Sequence, residues 1–191
     1  PVRIENRLSV VCIGRISLEK NPQVLAEACS IVYNEHGWAP SVRWIGRVDT
    51  FGAGERVKEE VDEVLEATRQ KEGWLWHGEA EDIPDLIMDA DVVVLSSLHE
   101  GLPNAVCEAL ATGTPVIASD IGDNRKLLGA NGERGFLFKN NSAASLAEAI
   151  QKFNETTNSE RSNMGISARR FSERELSQEK MVDRFEELMN P

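Results

Sequence analysis

The chain has 191 residues, of which 41% are hydrophobic and 28% charged, with a formal net charge of −11. That length supports one domain with a real hydrophobic core, and the acidic balance excludes a general nucleic-acid binder, which needs a basic surface to displace counterions. No apolar run approaches the roughly 20 residues that span a bilayer.

Residues 8–13, Leu-Ser-Val-Val-Cys-Ile, form an apolar run closed by Gly14, as expected of a buried parallel strand. Asn21-Pro22 then supplies a helix N-cap and a first-turn proline, and Val24, Leu25, Ala28, Ile31 and Val32 follow at helical spacing. The alternation continues with strands over 42–45, 74–77, 92–95, 116–118 and 136–138. Between and after them, helical patterns cover 55–71, 83–88, 103–111, 123–128 and 142–153. Two terminal helices are predicted over about 159–170 and 176–189. Trp74 and Trp76 stand two apart on the third strand, which predicts that at least one is core.

Strand and helix alternating six times, with strands apolar on both faces, predict an α/β domain of Rossmann-like type. It should hold a roughly six-stranded parallel sheet flanked by helices, over a core of about 8–153, with the terminal helices completing a single domain over 1–191. Such folds bind ligands beyond the carboxyl ends of their strands. That rule selects the loops after Ile13, Ile45, His77, Leu95 and Ala118.

The N-terminus, Pro1-Val-Arg-Ile-Glu-Asn6, has neither a signal peptide's basic and apolar regions nor a starting methionine, so the chain is expected to be part of a longer one. Cys12, Cys29 and Cys107 are odd in number and lie in apolar segments. They predict buried thiols in a reducing, cytoplasmic setting rather than a disulfide framework. No His/Cys/Asp cluster has the spacing of a metal site.

Two loops carry candidate chemistry. After the first strand, Gly14 allows a tight turn, and Arg15 and Lys20 set a guanidinium and an ammonium five residues apart. The pair would hold an anion such as a diphosphate, or would simply be solvated. After the fourth strand comes Ser97-Leu98-His99-Glu100-Gly101-Leu102-Pro103-Asn104, running on to Glu108. Pro103 marks a first helical turn and Leu102 is a poor cap, so the first N–H groups lack an evident side-chain partner and suit a phosphate or sugar oxygen. Asn104 and Glu108 share a helix face. Glu108 suits a ribose diol and Glu100 a sugar hydroxyl, although an isolated glutamate is more often only solvated. His99 is expected to pack, and Arg47 after the second strand either adds a cation or is solvated.

Taken together, Gly14-Arg15…Glu19-Lys20-Asn21, Ile45-Gly46, Ala90-Asp91, Ser97–Asn104 with Glu108-Ala109, Thr112-Gly113-Thr-Pro115…Ser119-Asp120-Ile-Gly122 and Gly135-Phe-Leu-Phe resemble the family-four retaining glycosyltransferases. Glu100 and Glu108 are separated by seven residues, matching that family's Glu-x7-Glu motif. The resemblance implies one half of a two-domain, type-B enzyme, with the acceptor-binding N-terminal domain absent. This chain would supply the half that binds a nucleotide-diphosphate sugar, for transfer to a glycan or lipid-linked acceptor with retention of configuration. Arg15 and Lys20 match the pair that neutralises the diphosphate, and Glu100 the residue beside the donor sugar. The N–H groups of Gly101, Leu102, Pro103's neighbours and Asn104 match those around the sugar and phosphates, and Glu108 matches the ribose carboxylate. The resemblance implies no metal or cofactor, polysaccharide or lipopolysaccharide assembly as the setting, and peripheral membrane association through the absent domain.

Some positions depart from the pattern. Gly46-Arg47-Val48-Asp49 replaces a glycine-rich turn, and Asn124-Arg125-Lys126 stands where relatives often carry a glutamate. Gly52-Ala-Gly54 lacks the third glycine of a dinucleotide fingerprint. Asn140-Asn-Ser142 and Asn154-Glu-Thr156 match glycosylation acceptors, which carry no meaning in a cytosolic chain. The alternatives are a free-standing nucleotide-sugar binding module or partner subunit without transferase activity, and an epimerase on the same architecture.

Overall fold

The structure is a computed structural model and describes residues 7–129, 132–177 and 180. Six strands lie in one parallel sheet: β1 (Ser9–Ile13), β2 (Ser41–Ile45), β3 (Trp74–Gly78), β4 (Val92–Leu95), β5 (Val116–Ser119) and β6 (Gly135–Phe138). Their spatial order is β3-β2-β1-β4-β5-β6. The order reverses direction between β1 and β4, which makes the gap beyond their carboxyl ends the switch point of the sheet.

The helices follow the expected alternation: α1 (Pro22–His36), α2 (Gly54–Ala67), α3 (Ile83–Met88), α4 (Asn104–Thr112), α5 (Asn124–Leu128), α6 (Ala143–Asn154) and α7 (Asn158–Glu175). The second helix stops at Ala67, short of the expected 71, and Lys71–Gly73 forms a separate 3-10 turn. Arg69 between them has φ 57, a left-handed conformation that no helix interior accepts. The fourth helix begins at Asn104 with Pro103 as its cap residue, one position later than expected. The helix predicted over 176–189 lies outside the described residues apart from 176, 177 and 180.

Period-two alternation explains how one sheet serves two cores. Val92 and Val94 pack with the α1, α2 and α6 side, including Leu25, Val61 and Ile150. Val93 and Leu95 pack on the opposite face with Ile87, Val106, Leu110 and Ala168. All four β4 side chains are buried, and each contributes on the order of 1.5–3 kcal/mol of hydrophobic free energy. Trp74 is buried and Trp76 partly so. With Trp44 they form a cluster, Trp44 and Trp74 stacked at 6.4 Å between ring centroids. Cys12 and Cys29 are buried free thiols and Cys107 is half-buried and free.

Two features fix the loops at the carboxyl edge. Asn21 caps α1 in a left-handed conformation, φ 50, its Oδ1 accepting from the Val24 N–H at 3.4 Å. Its Nδ2 donates to Asn141 Oδ1 at 3.0 Å, tying the start of α1 to the loop after β6.

Candidate functional site

The first wall of the site is the β1–α1 loop. Gly14 has φ 151, and the Lys20 side chain lies across it so closely that a Cβ there would stand 3.0 Å from Lys20 Cε. The loop is held from β2 by three backbone bonds, Gly14 N–H to Ile45 O at 2.9 Å, Ile16 N–H to Arg47 O at 2.9 Å and Asp49 N–H to Ile16 O at 3.0 Å. The Trp44 indole N–H adds a fourth tie, to Gly14 O at 2.9 Å. Arg15 is half exposed and pairs loosely with Asp49, Nη1 to Oδ1 at 3.5 Å. Arg47 is exposed, in keeping with the solvated reading.

The second wall is the β4–α4 loop. Leu98 N–H donates to Glu19 O at 2.7 Å, and Ser96 Oγ donates to Lys20 O at 2.8 Å, so the two loops are bonded together at the switch point. Across this seam Lys20 Nζ lies 2.6 Å from Glu100 Oε1, with side-chain exposures of 27% and 12%. Ser97 Oγ donates to the same oxygen at 2.6 Å. Two residues 80 apart in sequence, selected for separate jobs, are therefore in direct contact.

The start of α4 is uncapped. Pro103 offers no side-chain bond, and its carbonyl takes the N–H groups of Val106 and Cys107 at 2.9 and 3.1 Å. Among the described residues, no acceptor meets the N–H of Gly101, Leu102, Asn104 or Ala105. Orphan donors and the positive end of the helix dipole favour an anionic ligand. Asn104 and Glu108 are both exposed on one face, while Ala105, Val106, Ala109 and Leu110 face the core. Desolvation pushes the Glu108 carboxyl above the usual glutamate range. Burial likewise raises the neighbouring Cys107 thiol, with the Glu108 charge adding to it.

Gly101 and Leu102 are exposed and Pro103 is buried. His99 is exposed as well, so the expectation that it packs is corrected: the loop carries its ring outward into solvent. Of the predicted residues, Gly14, Arg15, Lys20, Glu100, Gly101, Leu102, Pro103, Asn104 and Glu108 all lie on the two loops that flank the switch point or on the helix that follows.

A buried frame holds these loops that sequence reasoning did not find. Ser119 Oγ donates to Ser97 O at 2.8 Å, Asn124 Nδ2 donates to Ser119 O at 2.9 Å, and Asn140 Nδ2 donates to Leu98 O at 3.1 Å. Ser97, Ser119 and Asn124 have no solvent exposure. Asn140 and Asn141, set aside as a glycosylation match, thus brace the loop before Glu100 and the cap of α1. Among the described residues no group of three or more His, Cys, Asp or Glu side chains could hold a metal ion. No helix among them is long and apolar enough to cross a membrane.

The sequence model of the family described as "Glycosyl transferases group 1" matches residues 7–155. The chain belongs to that family. Similar sequences include the UDP-Gal:alpha-D-GlcNAc-diphosphoundecaprenol alpha-1,3-galactosyltransferase of Escherichia coli, 33% identical over 145 residues, covering 76% of this chain and 36% of the relative. Another is the putative teichuronic acid biosynthesis glycosyltransferase TuaC of Bacillus subtilis (strain 168), 30% identical over 152 residues, covering 78% and 33%. The chain therefore spans about a third of the length of these curated relatives.

Among solved glycosyltransferase folds, Anabaena Alr3699/HepE in complex with UDP and glucose superposes with a TM-score of 0.84 at 21% identity, over 96% of this chain and 48% of that one. The C-terminal domain of a glycosyl transferase group 1 family protein (LpcC) from Francisella tularensis superposes with a TM-score of 0.75 at 18% identity, over 89% and 87%. At these identities the likeness shows the fold: a Rossmann-like domain of the glycosyltransferase type.

Proposed function

We propose that this chain is the donor-binding half of a retaining, family-four glycosyltransferase, which moves a sugar from a nucleotide-diphosphate donor to a glycan or lipid-linked acceptor. The observation that carries the reading is the meeting of Lys20 and Glu100 at 2.6 Å, at the switch point, within the two loops that also hold Arg15 and the uncapped start of α4. That constellation joins cations, free N–H donors and a carboxylate, the groups that a sugar diphosphate requires. The complex of Alr3699/HepE with UDP and glucose and the name of the E. coli relative support a nucleotide-sugar donor. The match to most of an isolated C-terminal domain supports the assignment to that half.

The difficult step is departure of the nucleotide diphosphate from the anomeric carbon. Arg15, Lys20 and the α4 N-terminus would stabilise the charge that grows on the leaving group, which is the preorganised electrostatic help that counts most. An ammonium carries three donors, so Lys20 can keep Glu100 and still reach a phosphate. Glu100 accepts a sugar hydroxyl and is not a nucleophile in this reading, and Glu108 accepts the ribose hydroxyls. The N–H groups of Gly101, Leu102, Asn104 and Ala105 take sugar and phosphate oxygens. This scheme calls for no metal or other cofactor. An acceptor-binding domain in the parent protein would form the other wall of the cleft, in the cytoplasm and at the membrane face, for polysaccharide or lipopolysaccharide assembly.

The experiment is calorimetric titration of the chain with UDP, GDP and ADP, beside Lys20→Ala and Glu108→Ala variants. One nucleotide should bind, and each variant should lose at least about tenfold in affinity while melting as a folded chain, a net charged hydrogen bond being worth that much. Absence of binding at millimolar concentrations would overturn the reading.

A further inference from the structure

We infer that Ser97 is the positioning residue for Glu100, and that its hydroxyl decides which carboxylate oxygen meets the donor sugar. The inference rests on the donor-site reading and goes beyond it, because Ser97 belongs to none of the groups assigned to a ligand.

Both bonds that Glu100 makes among the described residues, from Lys20 Nζ and from Ser97 Oγ, end on Oε1, each at 2.6 Å. Oε2 has no bond among those residues, which makes it the oxygen available to a sugar hydroxyl. The two anchors differ in kind. Lys20 is a mobile point charge on a four-carbon stem, and a diphosphate competes for it directly. Ser97 is fully buried two residues beyond β4, and its one-carbon side chain has no such freedom. Once phosphates share the Lys20 charge, Ser97 is the anchor that keeps Oε1 in place and Oε2 presented.

The support behind Ser97 is rigid. Its carbonyl accepts from Ser119 Oγ at 2.8 Å and the carbonyl of Ser119 accepts from Asn124 Nδ2 at 2.9 Å, with all three residues buried. The first bond engages the backbone of Ser97 and the second the backbone of Ser119, and neither uses the Ser97 hydroxyl. Ser97→Ala therefore removes one bond, the one to Glu100, and leaves the frame intact. Productive sites hold their groups to within about 0.5 Å, and a supporting partner of this type is how that tolerance is met.

The test separates positioning from structure. Dissociation constants are measured on the chain for UDP, GDP and ADP and for UDP-glucose, UDP-galactose, GDP-mannose and ADP-glucose, and the best-bound nucleotide series is carried forward. The readout is the affinity ratio of the sugar nucleotide over the bare nucleotide diphosphate. Ser97→Ala should lower that ratio about tenfold, in line with loss of one charge-assisted hydrogen bond. Ser97→Thr, which keeps the hydroxyl, should restore it, and Ser97→Ala should add nothing in a Glu100→Ala background. An unchanged ratio, or an equal loss for nucleotide and sugar nucleotide, overturns the inference while leaving the donor site standing. If the wild-type chain binds none of the probes, the donor-site reading fails and this inference fails with it. Thermal melting of each variant identifies a fold defect, and a Ser97→Ala chain that does not fold would show that the hydroxyl's role is structural.

Discussion

A Cβ on Gly46 would overlap the carbonyl oxygen of Gly14, so the loops after β1 and β2 touch backbone to backbone. Gly46 also has φ 144, which side chains rarely adopt. The same Gly14 carbonyl accepts the Trp44 indole N–H, so it cannot retreat without breaking a partly buried bond. Gly46→Ala should cost more than about 2 kcal/mol of stability, a magnitude reserved for steric and backbone conflicts. Urea unfolding measures it, and a variant as stable as wild type would show that the β1 loop is free to move.

Gly101 makes the opposite case. A Cβ there meets nothing within 4 Å, and the residue is not among those with positive φ. The protein's own packing therefore does not demand glycine at this point. Gly101→Ala should change stability by no more than about 0.5 kcal/mol and weaken sugar-nucleotide binding severalfold, because the methyl group intrudes where the donor is proposed to lie. Unfolding and titration on one sample separate the two effects.

Glu108 gives a pH signature. Desolvation raises its carboxyl above the ordinary glutamate value of about 4.3. A raised folded-state value means that the neutral form is favoured on folding. Its contribution to stability is then present below the unfolded-state value and lost as pH rises through the folded one. Binding runs the other way, since a carboxylate that accepts ribose hydroxyls must be ionised. Nucleotide affinity should therefore fall on acidification from a higher pH than an unperturbed glutamate would set, and Glu108→Gln should flatten that limb. Calorimetry between about pH 4 and pH 7 covers the window.

Asn21 is expected to be a stability residue. Its side chain caps α1 and bonds Asn141, and its φ of 50 suits asparagine or glycine. Asn21→Ala should cost about 1–2 kcal/mol and Asn21→Gly less, because glycine keeps the backbone at ease. Equal losses would mean that the bonds, not the conformation, carry the effect.

The strands were legible because each apolar run ends in a residue that breaks it, Gly14 after β1 and Gly46 after β2, and the first helix because Asn21-Pro22 is a strong start signal. The charged candidates were legible through their place on carboxyl-end loops. Their pairing was not: Lys20 and Glu100 meet only because β1 and β4 are neighbours in the sheet, which local spacing does not encode. The bracing roles of Ser97 and Ser119 were invisible for a related reason, since a serine that bonds a neighbour's carboxylate or carbonyl looks like any loop serine. The expectation that His99 packs went wrong because nothing in the local sequence fixes the direction of a loop side chain. Leu98 is instead tied by its N–H to Glu19, and the chain beyond it runs outward.

The family match ends at residue 155, before α7 begins, yet α7 is bolted to the helix that opens the site. A Cβ on Gly165 would overlap Gly113 O at the end of α4, Arg169 Nη1 donates to Ala111 O, and Ala168 is fully buried against the α4 side of the sheet. The smallest unit able to hold its ligand-facing loops is thus longer than the region of recognisable descent. A fragment trimmed at residue 155 should expose the back of α4, precipitate or melt early, and bind nothing, whereas the full chain should remain soluble. Boundaries drawn from kinship and boundaries drawn from mechanics differ here by one helix.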